Sequence, residues 1–207
     1  MSMRSPKHRN GLHALCLALV FVALCASARA DSLSLAPASP VVLSPSDYAL
    51  APKGTVATWR NLLNGEIVKE EVDASRGLMV QSRVGDHRSY AYLPDPWADD
   101  ENTREGDIAP LFPLDVGKTV HFTRTPKAGL AKDTVEVLRT ETLTLPMGKV
   151  DTYVIHTKSE IASDGWVGES TFWYAPALDW YVQMVIKDTD GGHRERQIVS
   201  ITKPGVE

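Results

Sequence analysis

The chain has 207 residues with 22 basic and 26 acidic side chains, two cysteines and a formal charge of −4. The first thirty residues hold four of the basic side chains and no acidic one, so the remainder is more acidic, at −8 (18 basic against 26 acidic). That balance argues against nucleic acid as a partner and gives no broad basic footprint for a surface of anionic headgroups, and both cysteines (Cys16 and Cys25) lie inside the first thirty residues, which excludes a disulfide framework in the remainder.

Residues 1–30 have the three-part order of a secretory signal peptide. Arg4, Lys7, His8 and Arg9 form a basic start, Leu12–Leu24 an apolar run, and Ala28-Arg29-Ala30 a small-residue cleavage site. The run of 13 residues falls short of the ~20 needed to cross a hydrocarbon core, which argues against a membrane anchor. Val22-Ala23-Leu24 before Cys25 is a poor lipobox, because Leu24 stands where a small residue is wanted. Cleavage after Ala30 is expected, with a periplasmic or secreted product. The 177 residues that follow are enough to bury a core without staples.

Residues 31–47, rich in Ser, Pro and Ala, are expected to be an extended, mobile leader. A single antiparallel β domain is expected over 48–207. Residues 55–62 read as a strand, and Asn64-Gly65 as a type I′ hairpin turn into a second strand at 66–74. Arg76-Gly77 and Gly85-Asp86 mark turns around strands at 78–84 and 87–93. Residues 94–110 form a long acidic connection, of a length uncommon in compact domains unless functional or disordered, with a short helical turn near Asp99–Arg104. Strands then recur at 119–125, 134–144, 149–161, 166–174, 180–188 and 193–202. No stretch carries sustained helical periodicity. The class is therefore all-β, a curved antiparallel meander forming a half-barrel or barrel, the alternative being a two-sheet sandwich. Along 180–186, alternation places Trp180, Val182, Met184 and Ile186 on an apolar face and leaves Tyr181 on a mixed one.

Motifs for chemistry are sparse. Asp95, Asp99, Asp100, Glu101, Glu105 and Asp107 supply oxygen ligands but lack calcium-loop spacing. Asp188-Thr189-Asp190-Gly191-Gly192 reads as a hairpin turn. His87, His121, His156 and His193 never reach the i, i+2 or i, i+4 spacing of a zinc face, so neither metal nor cofactor is expected. Gly168-Glu169-Ser170 lacks the second glycine of a nucleophile elbow and lies mid-strand. A hydrolase with dispersed carboxylates leaves no local signature and stays open as a lesser alternative.

Three motifs carry a resemblance: Phe112-Pro113-Leu114-x-x-Gly117-Lys118, then Leu145-Pro146-x-Gly148 leading into Thr152-Tyr153, and Trp173-Tyr174-Ala175-Pro176. Over residues 111–187 the chain resembles a group of uncharacterised exported bacterial β-proteins, several of them lipoproteins. It departs from that group at Leu178-Asp179-Trp180, where a glycine pair is common. Such proteins are similar in architecture to periplasmic lipoprotein carriers of the Lol type, whose curved sheet shelters acyl chains. The resemblance implies a fold more than an activity.

The aromatics make the positive case. Trp59, Tyr90, Tyr92, Trp166, Phe172, Trp173, Tyr174 and Trp180 are numerous enough to line an apolar cavity, although β-propensity draws such residues into any β core. Trp166, Phe172, Tyr174, Trp180 and Met184 are the expected ligand-binding residues. The expected function is non-enzymatic binding of a lipid or lipoprotein acyl chain. The alternative is a cell-envelope scaffold or adaptor with a filled core and a protein partner.

Overall fold

A computed structural model of the chain describes residues 38–43, 51–76, 79–92, 105–126 and 128–205. The signal-peptide reading and most of the acidic connection lie outside these residues. Eleven strands are described: β1 (Ala38–Pro40), β2 (Val56–Asn61), β3 (Ile67–Arg76), β4 (Met79–Val84), β5 (His87–Tyr92), β6 (Thr119–Arg124), β7 (Ala131–Leu145), β8 (Gly148–Ile161), β9 (Trp166–Ala175), β10 (Trp180–Asp188) and β11 (His193–Thr202). The only α-helical element among the described residues is one turn, Glu105–Ile108.

All the strands belong to one sheet, in the order β1-β7-β8-β9-β10-β11-β2-β3-β4-β5, with β6 also pairing β7. Every pairing is antiparallel. One continuous path of hydrogen bonds rules out the two-sheet sandwich. Among the described residues no pairing joins β5 back to β1, β6 or β7, so the sheet is open. It is also strongly curled. In a flat sheet β7 and β11, four steps apart, would be separated by about 19 Å, yet their Cα atoms approach within 8 Å.

Four register shifts account for much of the bending: Val72/Ala74, Val137/Arg139, Tyr181/Gln183 and Ile198/Ser200. An extra residue on one strand bends it and raises its local twist. The shift in β7 does more. Upstream of it, Val137 pairs Ile155, and Val135 and Val137 join Tyr153, Ile155 and Tyr174 in one buried cluster capped by Leu111 and Leu114. Downstream, Leu143 and Leu145 join Val154, Trp173 and Ala175 in a second cluster. Because β8 alternates regularly, Tyr153 and Ile155 lie on one face and Val154 on the other. The bulge thus hands the buried side of β7 from one face of the sheet to the other.

Two expectations need correction. Ala38–Pro40, inside the segment read as a mobile leader, forms β1 against Glu141–Leu143 of β7, and the Thr140 hydroxyl donates to the Val41 carbonyl. Proline is tolerated there because β1 lies at the sheet edge. The hairpin at Asn64-Gly65 exists, but not as a type I′ turn. Gly65 has φ +76°, whereas Asn64 is not at positive φ. Arg60 pairs Ile67 across a longer connection. Asn61 and Asn64 spend their side-chain oxygens on the N–H groups of Leu63 and Glu66, at 2.9 and 3.0 Å, the local bonding that lets asparagine make its own turns.

Candidate functional site

The structure places the five expected ligand residues unequally. Phe172, Trp180 and Met184 are buried in the larger cluster, Tyr174 in the smaller one. Trp166, at the start of β9, is half-buried and belongs to neither.

The larger cluster is centred on Tyr181. Its ring stacks on Trp59 at 5.2 Å and on Trp180 at 5.1 Å between centroids, and meets the edge of Phe172 at 5.5 Å. Offset-stacked and edge-to-face contacts at such distances are favoured by the ring quadrupoles. Alternation assigned Tyr181 to the mixed face of its strand and missed it. The register shift at Tyr181/Gln183 is the reason, since a bulge breaks the two-residue period on which the face assignment rests. Trp59 reaches the cluster from β2, far away in sequence, because β2 pairs with β11.

Beside these rings lies a buried carboxylate that the sequence did not single out. Ala57 pairs Glu70 and Trp59 pairs Val68, so Glu70 shares the face of Trp59. The Trp59 indole Nε1 donates to Glu70 Oε2 at 2.9 Å, and the Ser82 hydroxyl to Oε1 at 2.6 Å. Burial raises the Glu70 pKa, against the pull of these two donors and of Arg196 and Arg194. The Tyr181 phenol is pushed well up, by burial first and then by the Glu70 charge. Arg196 is lowered, mainly by burial and then by Arg194. Two donors on these strands, Trp180 Nε1 and Arg196 Nε, are buried with no hydrogen-bond partner among the described residues.

Elsewhere the polar groups are largely structural. Arg124 Nε pairs with Asp133 at 3.0 Å and its terminal nitrogen donates to Ser159 at 2.9 Å. The Trp173 indole donates to Glu141, which also pairs with Arg139. His121 and His156 face Thr134 and Thr171 across strand pairs, and His193 faces Glu195. Among the described residues no three metal-ligating side chains gather. Of the acidic connection, Asp107 is described and half-buried, while Asp95, Asp99, Asp100 and Glu101 lie outside the described residues. What the larger cluster offers chemically is an aromatic wall with a buried carboxylate and two unsatisfied donors.

No family model matches this chain, and neither does any curated protein. Among solved structures, the chain is similar to the hypothetical lipoprotein YmcC from Escherichia coli K12, at 13% identity and a TM-score of 0.48, over 70% of this chain and 83% of that one. A candidate exported protein of Bacteroides fragilis with a YmcC-like fold is 14% identical with a TM-score of 0.38, over 76% of this chain and 100% of that one. A candidate lipoprotein of Parabacteroides distasonis is 13% identical with a TM-score of 0.37, over 77% and 100%. Likenesses at this level assign the chain to no family.

Proposed function

We propose that this protein is an exported, non-enzymatic carrier that holds an apolar ligand, such as a lipid or a lipoprotein acyl chain, against the Trp59–Tyr181–Trp180–Phe172 wall. The reading is carried by the unsatisfied Trp180 indole N–H within that wall. A buried donor without an acceptor costs about 1–3 kcal/mol, so one that persists in an apolar cluster calls for a partner. A ligand with an apolar body and an oxygen acceptor supplies both the contact and the missing bond. Export rests on the amino-terminal charge and apolar pattern.

A second reading, an envelope scaffold or adaptor with a filled core, is favoured by the close packing of the same rings and their burial, with Trp59 at 0% and Trp180 at 1% exposure. On that reading the outer edge of β5, which pairs with no described strand, recruits a partner by strand addition.

Native mass spectrometry of the mature protein, purified gently from an expressing cell envelope, separates the two. A reproducible adduct of lipid mass, lost on mild activation, supports the carrier. A clean polypeptide peak across several preparations overturns it and leaves the adaptor.

A further inference from the structure

We propose that Arg196 anchors the ligand's head: an acyl chain lying against the aromatic wall ends in an anionic group, carboxylate or phosphate, held by the Arg196 guanidinium. This rests on the carrier reading and adds a charge to it.

The placement of Arg196 is the first observation. On β11 it is paired with Met184 on one side and Asn61 on the other, two residues from Ile198, which pairs Trp59. Alternation therefore puts Arg196 on the same face as Ile198 and Trp59, both fully buried. Arg196 is itself half-buried, and the part of its guanidinium that is out of water is costly to leave without a partner.

The second observation is that it is not paired. Its Nε is buried with no hydrogen-bond partner, and no ion pair joins it to a carboxylate among the described residues. Glu70, then the Tyr181 phenol and the exposed Glu66, attract it, none of them within an ion pair or hydrogen bond. Yet each Glu70 oxygen is already bonded, one to Trp59 and the other to Ser82. Arg194, two residues away on the same strand and exposed, adds a second positive charge instead of relieving the first.

The chemistry of the side chain names the ligand class. The guanidinium presents its Nε–H beside a terminal N–H as a planar fork, matched to two oxygens of a carboxylate or phosphate. Its aliphatic stem continues the apolar wall. Burial and the Arg194 charge, which both disfavour the cation, are opposed by an incoming anion. The Trp59–Tyr181–Trp180–Phe172 group accommodates the chain of the same molecule.

The test is direct binding of laurate, dodecyl phosphate and 1-dodecanol to the mature full-length protein, below micelle formation and at one pH. Both anions are expected to bind the wild type at least about tenfold more tightly than the alcohol, a difference of about 1.4 kcal/mol. In Arg196→Met the anions should fall to the alcohol's affinity while the alcohol itself changes by less than about twofold. Arg196→Lys, which keeps the charge without the fork, should retain part of the preference. Laurate ahead of dodecyl phosphate points to free fatty acid, and the reverse order to a phospholipid head. Equal binding of all three by the wild type overturns the anchor and leaves the carrier standing. Binding of none overturns both. These two outcomes are read on the wild type alone, so a variant that misfolds does not obscure them.

Discussion

Replacing Glu70 isolates what a buried carboxylate does to this sheet. Glu70→Ala removes one buried methylene, about 0.8 kcal/mol. It also strips the Trp59 indole N–H of its acceptor, about 1–3 kcal/mol, and deletes the bond from Ser82, about 1 kcal/mol more once the relief of desolvation is set against it. The expected loss is about 3–5 kcal/mol. Glu70→Gln should behave quite differently. Its amide oxygen can still accept from Trp59, and its NH₂ can donate to the Ser82 hydroxyl, which turns to accept. The cost of desolvating a charge disappears. At pH 8 the glutamine variant is therefore expected within about 1 kcal/mol of wild type, or above it.

The pH dependence has a definite sign. Burial raises the folded-state pKa of Glu70 above its ordinary value of 4.5. The stability this group supplies is thus fully present below 4.5 and is lost as pH rises through the raised folded value. Glutamine has no such loss, so its stability relative to wild type should improve as pH rises above 4.5 and level off above the raised folded value. Urea unfolding followed by tryptophan fluorescence at four pH values measures this. A glutamine variant as damaged as the alanine one at pH 8, with no pH trend between it and wild type, would refute the reasoning, since ionised Glu70 would then be the required partner.

Two further outcomes follow from the same geometry. Asp133→Ala, which strands Arg124 with side-chain exposures of 6% and 0% for the pair, should cost about 3–5 kcal/mol, whereas the double change Arg124→Met with Asp133→Leu should recover most of it. Thermal melts of the two variants beside wild type check this, and a double variant no better than the single one would show that the pair is needed for more than mutual neutralisation. Gly65→Ala forces a Cβ into the left-handed region at φ +76° and should cost about 1–2 kcal/mol in chemical denaturation. An unchanged midpoint would mean the hairpin relaxes to another turn.

How much of this was legible in the sequence depends on the range of the interaction. Strands such as 180–188 and 193–202 match their expected limits, because alternation and glycine turns are local signals. The two-residue period also failed locally: at Tyr181 a single bulge residue was enough to hide the centre of the aromatic cluster. Glu70 was invisible for another reason. It sits in Ile67-Val68-Lys69-Glu70-Glu71, where neighbouring charges suggest solvent, and it is the Trp59 and Ser82 donors on flanking strands, with the charges of Arg196 and Arg194, that make its burial tolerable. Arg196 was hidden likewise in His193-Arg194-Glu195-Arg196. The pairing of β2 with β11 has no local signal at all.

The strand β7 is fifteen residues long, and its outer edge is shared by β6 along Ala131–Glu136 and by β1 along Glu141–Leu143. The earliest described strand therefore has no partner until the chain has been made as far as residue 143, and β2 waits until residue 196 for β11. For a chain that emerges amino terminus first, β1 must wait unpaired, and β2 paired to β3 alone, while the middle of the sheet assembles. The ten residues of β11, the last described strand, are thus the clasp that fastens β2–β5 to the strands β7–β10. Until that pairing is made, the free edge of β2 is a template for other chains.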